Sequence, residues 1–334
     1  MNYIGSKYKL INFVKDTICR VAGKNLSKKV FCDLFAGTGI VGRAFKTETQ
    51  RIIANDVEYY SYVLNKNYIE NHTDIPDKQA YLDELNRLPL TDSGFIFKNY
   101  CLSGGAGRQY FSDHNGRKID TIRQCIETWK KTGKINDNLY YFLLASLLES
   151  ADKLANTASV YGAYLKHLKK SAQKELVLES ADFTVNDNVH QVFNEDGNVL
   201  IKKIEGDILY LDPPYNARQY GANYHMLNTI AKYDDFVPNG KTGLRKYQKS
   251  AWCRSGKVEN EFDNLLTNAK FRYVFLSYNN EGLMPMEMIK KIMSKYGRYD
   301  LVSVDYQRFK ADRDDNRNHK ANKTEEFIHV LETY

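Results

Sequence analysis

The sequence predicts an α/β fold with a doubly wound, mostly parallel sheet. Short runs of β-branched and aromatic residues recur along the chain, and several are almost continuously apolar, as strands covered by helices on both faces must be. Helical patterns separate most of these runs, and alternation of strand and helix is typical of a parallel sheet. A glycine turn after the first run and a proline pair after the fourth predict ligand-binding loops at strand ends.

The predicted elements alternate along two parts of the chain. Strands are expected at Val30–Phe35, Arg51–Asn55, Val189–Phe193, Asp207–Leu211, Arg272–Ser277, Leu301–Tyr306 and Phe327–Leu331. Helices between them are expected at Val41–Thr47, Glu58–Asn71, Val199–Ile204, His225–Lys232 and Met284–Tyr296.

One long stretch interrupts this alternation. Residues 79–187 contain helical patterns at Ile119–Thr132 and Leu139–Leu154 but few strand signals. We therefore expect an inserted, largely helical module there, with residues 1–78 and 188–334 forming the catalytic domain. Residues 234–261 form a second irregular, basic segment within that domain.

Composition indicates an ordinary globular protein with a modest basic excess. The chain has 334 residues, 48 Lys and Arg against 41 Asp and Glu, and a formal charge of +7. The excess suits a polyanionic partner without requiring one. The five cysteines are odd in number and lack C-x-x-C spacing, which favours reduced thiols over disulfides or a zinc site. With no apolar run long enough to span a bilayer, we expect a cytoplasmic protein that binds no membrane.

The strongest local signal is the segment LYLDPPYNARQY. An apolar strand ends at Asp212, and Pro213 and Pro214 stop the strand ladder and fix the backbone. An acidic side chain, proline carbonyls and the Tyr215 ring are thereby expected in one pocket at a strand end. A simple strand followed by a proline turn is the structural alternative, but the glycine loop upstream favours a catalytic role.

The upstream loop is VFCDLFAGTGIVG. Asp33 and Phe35 end the strand, and Gly37 and Gly39 allow a tight turn beside a ligand before a helix begins. No lysine follows the second glycine to hold a phosphate chain, so a nucleoside ligand without polyphosphate is favoured. Asp56 lies seventeen residues beyond Gly39 at the next strand end, where it is placed either to bind ribose hydroxyls or to cap a helix.

These motifs together resemble the D12-type, Dam-like DNA adenine-N6 methyltransferases, in the order of their alpha group. The segment YIGSKYKL resembles the family's N-terminal cofactor motif, with Tyr3 at its aromatic position and Lys7 at its lysine. DLFAGTG is similar to the cofactor loop, IIANDVE to the ribose-binding strand, DPPY to the catalytic tetrapeptide, and VFNEDGNVLI, which contains Asn194, to the segment beside the cofactor's adenine.

The resemblance implies a Rossmann-like methyltransferase fold that uses S-adenosyl-L-methionine and no metal. It implies that Asp212, which also borders the cofactor, and the Pro213 carbonyl accept hydrogen bonds from adenine N6, while Tyr215 stacks on the base. The reaction needs an adenine flipped out of double-stranded DNA. The insertion is then expected to be the target-recognition domain of a site-specific enzyme. We expect a monomer that protects DNA in a restriction–modification system, with a cognate endonuclease acting separately.

Contacts to the DNA backbone are expected from the basic segment after the catalytic motif. Residues 240–257 contain six basic residues and no acidic residue, with Tyr247 and Trp252 interleaved. A solvated face is the plain alternative, but closeness to the catalytic loop favours phosphate contact. The DNA-binding residues expected are Arg218, Lys241, Arg245, Lys246, Lys249 and Arg254. For Arg308–Lys323, where aspartates dilute the charge, the two alternatives are balanced.

Two other functions remain open at this level. A cytosine-N4 methyltransferase uses the same geometry, although its tetrapeptide more often begins with Ser than with the Asp212 found here. A non-catalytic DNA-binding or specificity protein of the same fold predicts decay of the glycine loop or of DPPY, and both are intact.

Overall fold

The computed structural model describes residues 7–307 and 323–334, with side chains described outside 305–325. Contacts divide the chain into two compact units. The sheet unit comprises residues 7–57, Asn186–Gln219 and Lys249–Tyr334, apart from residues 308–322, and the helical unit comprises Glu58–Val185 and Tyr220–Gln248.

The described part of the sheet unit forms a seven-stranded sheet in the order β3-β2-β1-β4-β5-β7-β6. Strands β1 to β5 are parallel, and β7 pairs antiparallel with β5 and β6. The doubly wound, mostly parallel fold predicted from the sequence is confirmed. The strands are β1 (Val30–Asp33), β2 (Arg51–Asn55), β3 (Gln191–Phe193), β4 (Glu205–Leu211), β5 (Lys270–Asn279), β6 (Gly297–Gln307) and β7 (Lys323–Thr333).

The strand order reverses beside β1, because β2 and β3 extend to one side and β4 and β5 to the other. Such a switch point opens a crevice at the carboxyl ends of the strands, where open α/β sheets bind ligands. The register aligns Asp33 with both Ala54 and Tyr210. The residues that follow β1, β2 and β4 therefore emerge at the same edge of the sheet.

The helices of the sheet unit lie before β1 or between strands in the sequence, and they bury apolar side chains. They are α1 (Ile11–Ala22), α2 (Ile40–Phe45), α8 (Gly197–Leu200), α11 (Val258–Asn268) and α12 (Met286–Met293). In α11, Val258, Phe262, Leu265 and Leu266 recur at helical spacing and are buried with apolar residues of β4 and β5. This packing forms a core that holds the strand ends in place.

The helical unit is built around one almost wholly buried helix. Helix α7 has a nearly continuous apolar run, which predicts burial on all sides. Asn136 caps its first turn by accepting a hydrogen bond from the Leu139 N–H. The helices are α3 (Tyr59–Asn65), α4 (Lys78–Arg87), α5 (Phe95–Tyr100), α6 (Asp113–Lys131), α7 (Asp137–Leu154), α9 (Tyr220–Asn223) and α10 (His225–Lys232), with a π-helical turn at Lys66–Glu70.

Two buried charges on α6 satisfy the ends of neighbouring helices. The Asp120 carboxylate accepts hydrogen bonds from the Ile96 and Phe97 N–H groups at the start of α5. The Arg123 guanidinium donates to the Ile230 and Ala231 carbonyls at the end of α10. Charges of these signs complement both the orphan backbone groups and the helix dipoles.

The strands and helices match the sequence prediction closely, whereas the residue ranges of the two compact units differ from the predicted domain ranges. All seven predicted strands are present, and α10 matches its predicted bounds. Residues 234–261 are not irregular throughout, because α11 begins at Val258. The helical unit also begins at Glu58 and gains 220–248, so it is larger than the expected insertion at 79–187. Its role in target recognition stays a prediction.

The described helices include none that is both long and apolar enough to cross a membrane.

Candidate active site at the strand ends

The glycine loop after β1 turns sharply into α2. Gly37 and Gly39 have φ angles of 52° and 76°, a region that other residues rarely adopt. The buried Asp33 carboxylate accepts a hydrogen bond from the Gly42 N–H at 3.1 Å and so ties the strand end to the helix. Burial raises the pKa of Asp33 to about 7, although this hydrogen bond opposes the rise. The buried Asp33 carboxyl group thus restrains the glycine loop through its hydrogen bond to Gly42.

The loop is fastened to the neighbouring strand end by Asp56. The Asp56 carboxylate accepts from the Gly37 N–H at 2.8 Å, which places it against the glycine turn as the cofactor prediction requires. Buried Asn55 donates its side-chain amide to the Leu34 and Glu195 carbonyls. The exposed Asn194 donates to the Asp56 carbonyl at 2.7 Å. The ends of β1, β2 and β3 therefore form one hydrogen-bonded surface.

The tetrapeptide Asp212–Tyr215, predicted to be catalytic, follows β4, the strand beside β1. Asp212 accepts a hydrogen bond from the Lys7 ammonium, with 2.9 Å between Nζ and Oδ1. The Lys7 side chain is 6% exposed and that of Asp212 is 19% exposed. The structure thus joins the predicted N-terminal cofactor motif directly to the predicted catalytic carboxylate.

A second carboxylate, Glu326 of β7, influences this ion pair. Burial raises the pKa of Asp212, and Lys7 opposes the rise. Burial lowers the pKa of Lys7, but Asp212 and Glu326 together raise it above its ordinary value. Burial also raises the pKa of Glu326, whose side chain bonds Asn279. The charges of both carboxyl groups therefore favour the cationic form of Lys7, and Asp212 is the one that it contacts directly.

Two aromatic side chains predicted to line the site are supported by the unit's core. The Tyr215 carbonyl accepts a hydrogen bond from the Leu283 N–H at 2.9 Å. The Tyr215 ring contacts the Tyr278 ring edge-on. The Phe35 ring meets Trp252 edge-on, with 5.1 Å between ring centroids. Contacts of this kind fix ring orientation while leaving both residues partly exposed.

Two residues of the basic segment, Arg245 and Trp252, are buried, and the first of them was predicted to contact DNA. Arg245 is only 7% exposed, and its guanidinium bonds both carboxylate oxygens of Asp234 and lies over the Phe236 ring. It is therefore an internal structural residue and not a phosphate contact. Trp252 is buried in the sheet unit's core. The other predicted DNA contacts are exposed: Arg218, Lys241, Lys246, Lys249 and Arg254.

Some predicted residues lie outside the described part of the chain, and some described residues were missed. Tyr3 and most of Arg308–Lys323 fall outside the described residues. Sequence reasoning missed Glu326 and Asn55. Asn55 ends the apolar strand β2, so a polar residue at a strand end was an available signal. Glu326 lies within β7, directly before its apolar run, and carried no comparable signal.

The strand order, the glycine loop after β1 and the charged loop after β4 are those of a Rossmann-like α/β fold, in which ligands bind at the carboxyl ends of the strands. The model of the D12 class N6 adenine-specific DNA methyltransferases matches residues 3–294. The chain therefore belongs to that family, and it is an enzyme whose substrate is DNA.

Named relatives agree with this assignment along almost the whole chain. The chain is 60% identical to the type II methyltransferase M.NlaIII of Neisseria lactamica over 332 residues, which cover 99% of each protein. It is 38% identical to the type II methyltransferase M.CviAII of Paramecium bursaria Chlorella virus 1, over 93% of each. Identity to the type II methyltransferase M.FokI of Planomicrobium okeanokoites is 40%, over 93% of this chain and 50% of that relative.

The family assignment decides between the alternatives left open by the sequence. A family defined by N6-adenine methylation supports Asp212 as the mark of an adenine enzyme and disfavours the cytosine-N4 alternative. It likewise disfavours a non-catalytic protein of the same fold.

Proposed function

We propose that the protein transfers a methyl group from S-adenosyl-L-methionine to N6 of an adenine flipped out of double-stranded DNA. The observation that carries this proposal is the Asp212–Lys7 ion pair, which places a restrained carboxylate at the end of β4, beside the glycine loop of β1. In this proposal the loop after β4 binds the adenine, and the loop after the adjacent strand β1 binds the methyl donor.

The chain offers groups that fit such a donor. The positive φ angles of Gly37 and Gly39 bring backbone close to a ligand, and the Asp56 carboxylate lies at the same turn, where it suits ribose hydroxyls. Phe35, Asp33, Asn194 and Lys7 complete the described part of the surface, and Tyr3 joins them on the family resemblance. When bound, S-adenosyl-L-methionine supplies an electrophilic methyl group on a cationic sulfur.

The acceptor residues counter the weak nucleophilicity of adenine N6, whose lone pair is delocalised into the ring. The N6 hydrogens donate to the Asp212 carboxylate and the Pro213 carbonyl, which favours a pyramidal nitrogen with its lone pair toward the methyl group. Pro214 fixes the loop, and the Tyr215 ring stacks on the base. Lys7 and the backbone of β4 hold the carboxylate still.

Transfer leaves one proton too many on the methylated nitrogen. The Asp212 carboxylate is already hydrogen-bonded to that hydrogen in this arrangement and is partly exposed. It is therefore placed to accept the proton and release it to water, while Lys7 keeps its charge throughout.

The relatives described above are type II methyltransferases, which supports a proposal for the biological setting. We infer that this chain is the cytoplasmic, monomeric modification enzyme of a restriction–modification system and acts separately from a cognate endonuclease. The helical unit then recognises the target, and the exposed basic residues grip the DNA backbone.

The direct test is incubation of the purified protein with tritiated S-adenosyl-L-methionine and mixed-sequence duplex DNA, followed by nucleoside analysis. The expected product is N6-methyladenine. Label in N4-methylcytosine, or no label in DNA, would contradict the proposal. Methylation-sensitive sequencing of DNA from cells that express the protein would identify the target.

A further inference from the structure

Several hydrogen bonds shape a partly exposed loop of the helical unit, residues 234–246, which we call the finger. It begins where α10 ends, because Tyr233 adopts a φ of 47° that stops the helix. The Tyr233 hydroxyl donates to the Asp120 carboxylate at 2.6 Å. The root of the finger is thus bound to the same buried carboxylate that caps α5.

The two sides of the finger are joined by an internal clamp. Arg245 donates to both carboxylate oxygens of Asp234, at 2.8 and 3.0 Å, across eleven residues of sequence. The Phe236 ring is held between the Arg245 guanidinium, 4.8 Å away, and the Phe95 ring, 5.1 Å away. Both bonds come from one guanidinium nitrogen, Nη2, and together with the contact to the Phe236 ring they restrain the Arg245 side chain.

The far end of the finger is bound from below by two residues of the segment 99–108. Arg108 donates to the carbonyls of Asn99, Gly240 and Lys241. The Tyr100 hydroxyl donates to the Gly243 carbonyl at 2.7 Å. Gly243 approaches both side chains so closely that an added Cβ would lie 2.8 Å from each of them. The turn is therefore fixed as well as the root.

Beyond the exposed aspartates at its root, the charged and large apolar side chains that the finger exposes are two lysines and a valine. Val237 is 90% exposed, and Lys241 and Lys246 are exposed. The finger's acidic residues, Asp234 and Asp235, lie at its root, and residues 236–246 contain none. Bonds that order a loop in advance reduce the entropy that a partner would otherwise have to supply on binding.

We propose that the finger is a pre-shaped DNA-contact element, with Lys241 and Lys246 against phosphates, Val237 against the duplex, and Arg245 as a positioning residue. The proposal rests on the DNA methyltransferase function proposed above. Duplex DNA fits because lysines neutralise its phosphates and an apolar side chain suits base edges.

The test of the clamp compares Asp234→Ala with Arg245→Ala by fluorescence anisotropy on a mixed-sequence duplex. If Arg245 shapes the finger, each variant should bind about tenfold more weakly, and the double variant should be no weaker than either. If Arg245 binds phosphate, Asp234→Ala should bind as well as the wild type or better, which overturns the proposal. Arg117→Ala is the matched control, because Arg117 also pairs with an aspartate, Asp92, and lies over a phenylalanine ring, Phe97. An equal loss in that control also overturns it.

A second pair of variants tests the tip without touching the clamp. Val237→Asp and Val177→Asp add the same charge at exposed valines of the helical unit, the latter 60% exposed. Only Val237→Asp should weaken binding, by roughly tenfold, because it places a like charge against phosphates. Equal binding of the two variants overturns the proposal.

Methyl transfer to adenine, measured on the same preparations, separates the two levels of inference. If the wild type methylates adenine while the finger variants bind normally, only the finger assignment fails. If the wild type binds DNA without methylating adenine, the proposed function fails.

Discussion

The strand-end site and the finger solve the problem of fixing a functional surface in different ways. At the strand ends the functional groups themselves are restrained: Asp212 by buried Lys7, and Asp56 by the Gly37 N–H. In the finger the side chains of Lys241 and Lys246 are exposed, and it is the backbone of the loop that is restrained, for example by Arg108 at the Lys241 carbonyl.

The difference follows from the demands of each task. Methyl transfer depends on atoms placed to within a fraction of an ångström, so rigid neighbours are built into the site. Phosphate contact tolerates a flexible side chain, provided that the backbone carries it to the right place. Substitutions at the strand ends should therefore act on turnover or cofactor affinity, whereas substitutions of the exposed lysines should act on DNA affinity.

The largest effect is expected from Asp212→Ala. Loss of a positioned acceptor should lower kcat by about 10²–10³ or more, because electrostatic and alignment contributions disappear together. Circular dichroism and DNA binding should stay close to the wild type. Asp207→Ala is the control from the same strand, since Asp207 bonds Lys29 and the Val30 N–H rather than the site. Near-normal turnover in Asp212→Ala would contradict the mechanism.

The next effect in size is expected from Asp56→Ala. Removing its carboxylate should weaken S-adenosyl-L-methionine binding by about 1.5–3 kcal/mol, the range for charge-assisted hydrogen bonds. Calorimetric titration measures this directly. Asp56→Asn keeps an acceptor for the Gly37 N–H, so it separates ligand binding from loop support. Unchanged affinity in both variants would limit Asp56 to supporting the loop.

A smaller but diagnostic effect is expected in the pH profile of Lys7→Met. Burial raises the pKa of Asp212 and Lys7 opposes the rise, so loss of Lys7 should raise that pKa further. Activity that needs the carboxylate is lost as the pH falls through this pKa. The acid limb of kcat should therefore move to higher pH. Lys29→Met, which removes the partner of Asp207, should leave the limb in place, and an unmoved limb in Lys7→Met would contradict the coupling.

The sequence was most informative where function and local backbone coincide. Asp212, Gly37 and Gly39 were predicted because a proline pair and a glycine turn leave direct marks at strand ends. The strands were predicted because burial on both faces demands apolar runs. The Rossmann-like fold is confirmed by the strand order.

The sequence could not reveal which distant residues meet in three dimensions. Arg245 was predicted to contact phosphates, like the lysines near it in sequence. The run of basic residues does not show that Asp234 and Phe236 contact the Arg245 guanidinium. Glu326 is 114 residues from Asp212 in sequence, and its influence on Lys7 depends on the antiparallel pairing of β7 with β5. The extent of the helical unit was not evident for the same reason. Residues 220–248 belong to that unit although they follow the DPPY motif in the sequence.

The smallest expected effect tests whether the exposed lysines contact phosphates. Because Arg245 is buried, the test uses Lys246 and Lys249, which face solvent. Lys246→Ala and Lys249→Ala should each lower the slope of log affinity against log salt by about 0.9, because each lost contact releases one counterion fewer. The loss should be similar for target and unrelated duplexes, since phosphates carry no sequence information. Fluorescence anisotropy across a salt series measures both quantities. Lys153, exposed and paired with Glu179 in the helical unit, supplies the control substitution Lys153→Ala. A collapse of discrimination at constant slope would instead make these lysines base-reading residues, and an unaltered slope would remove them from the DNA interface.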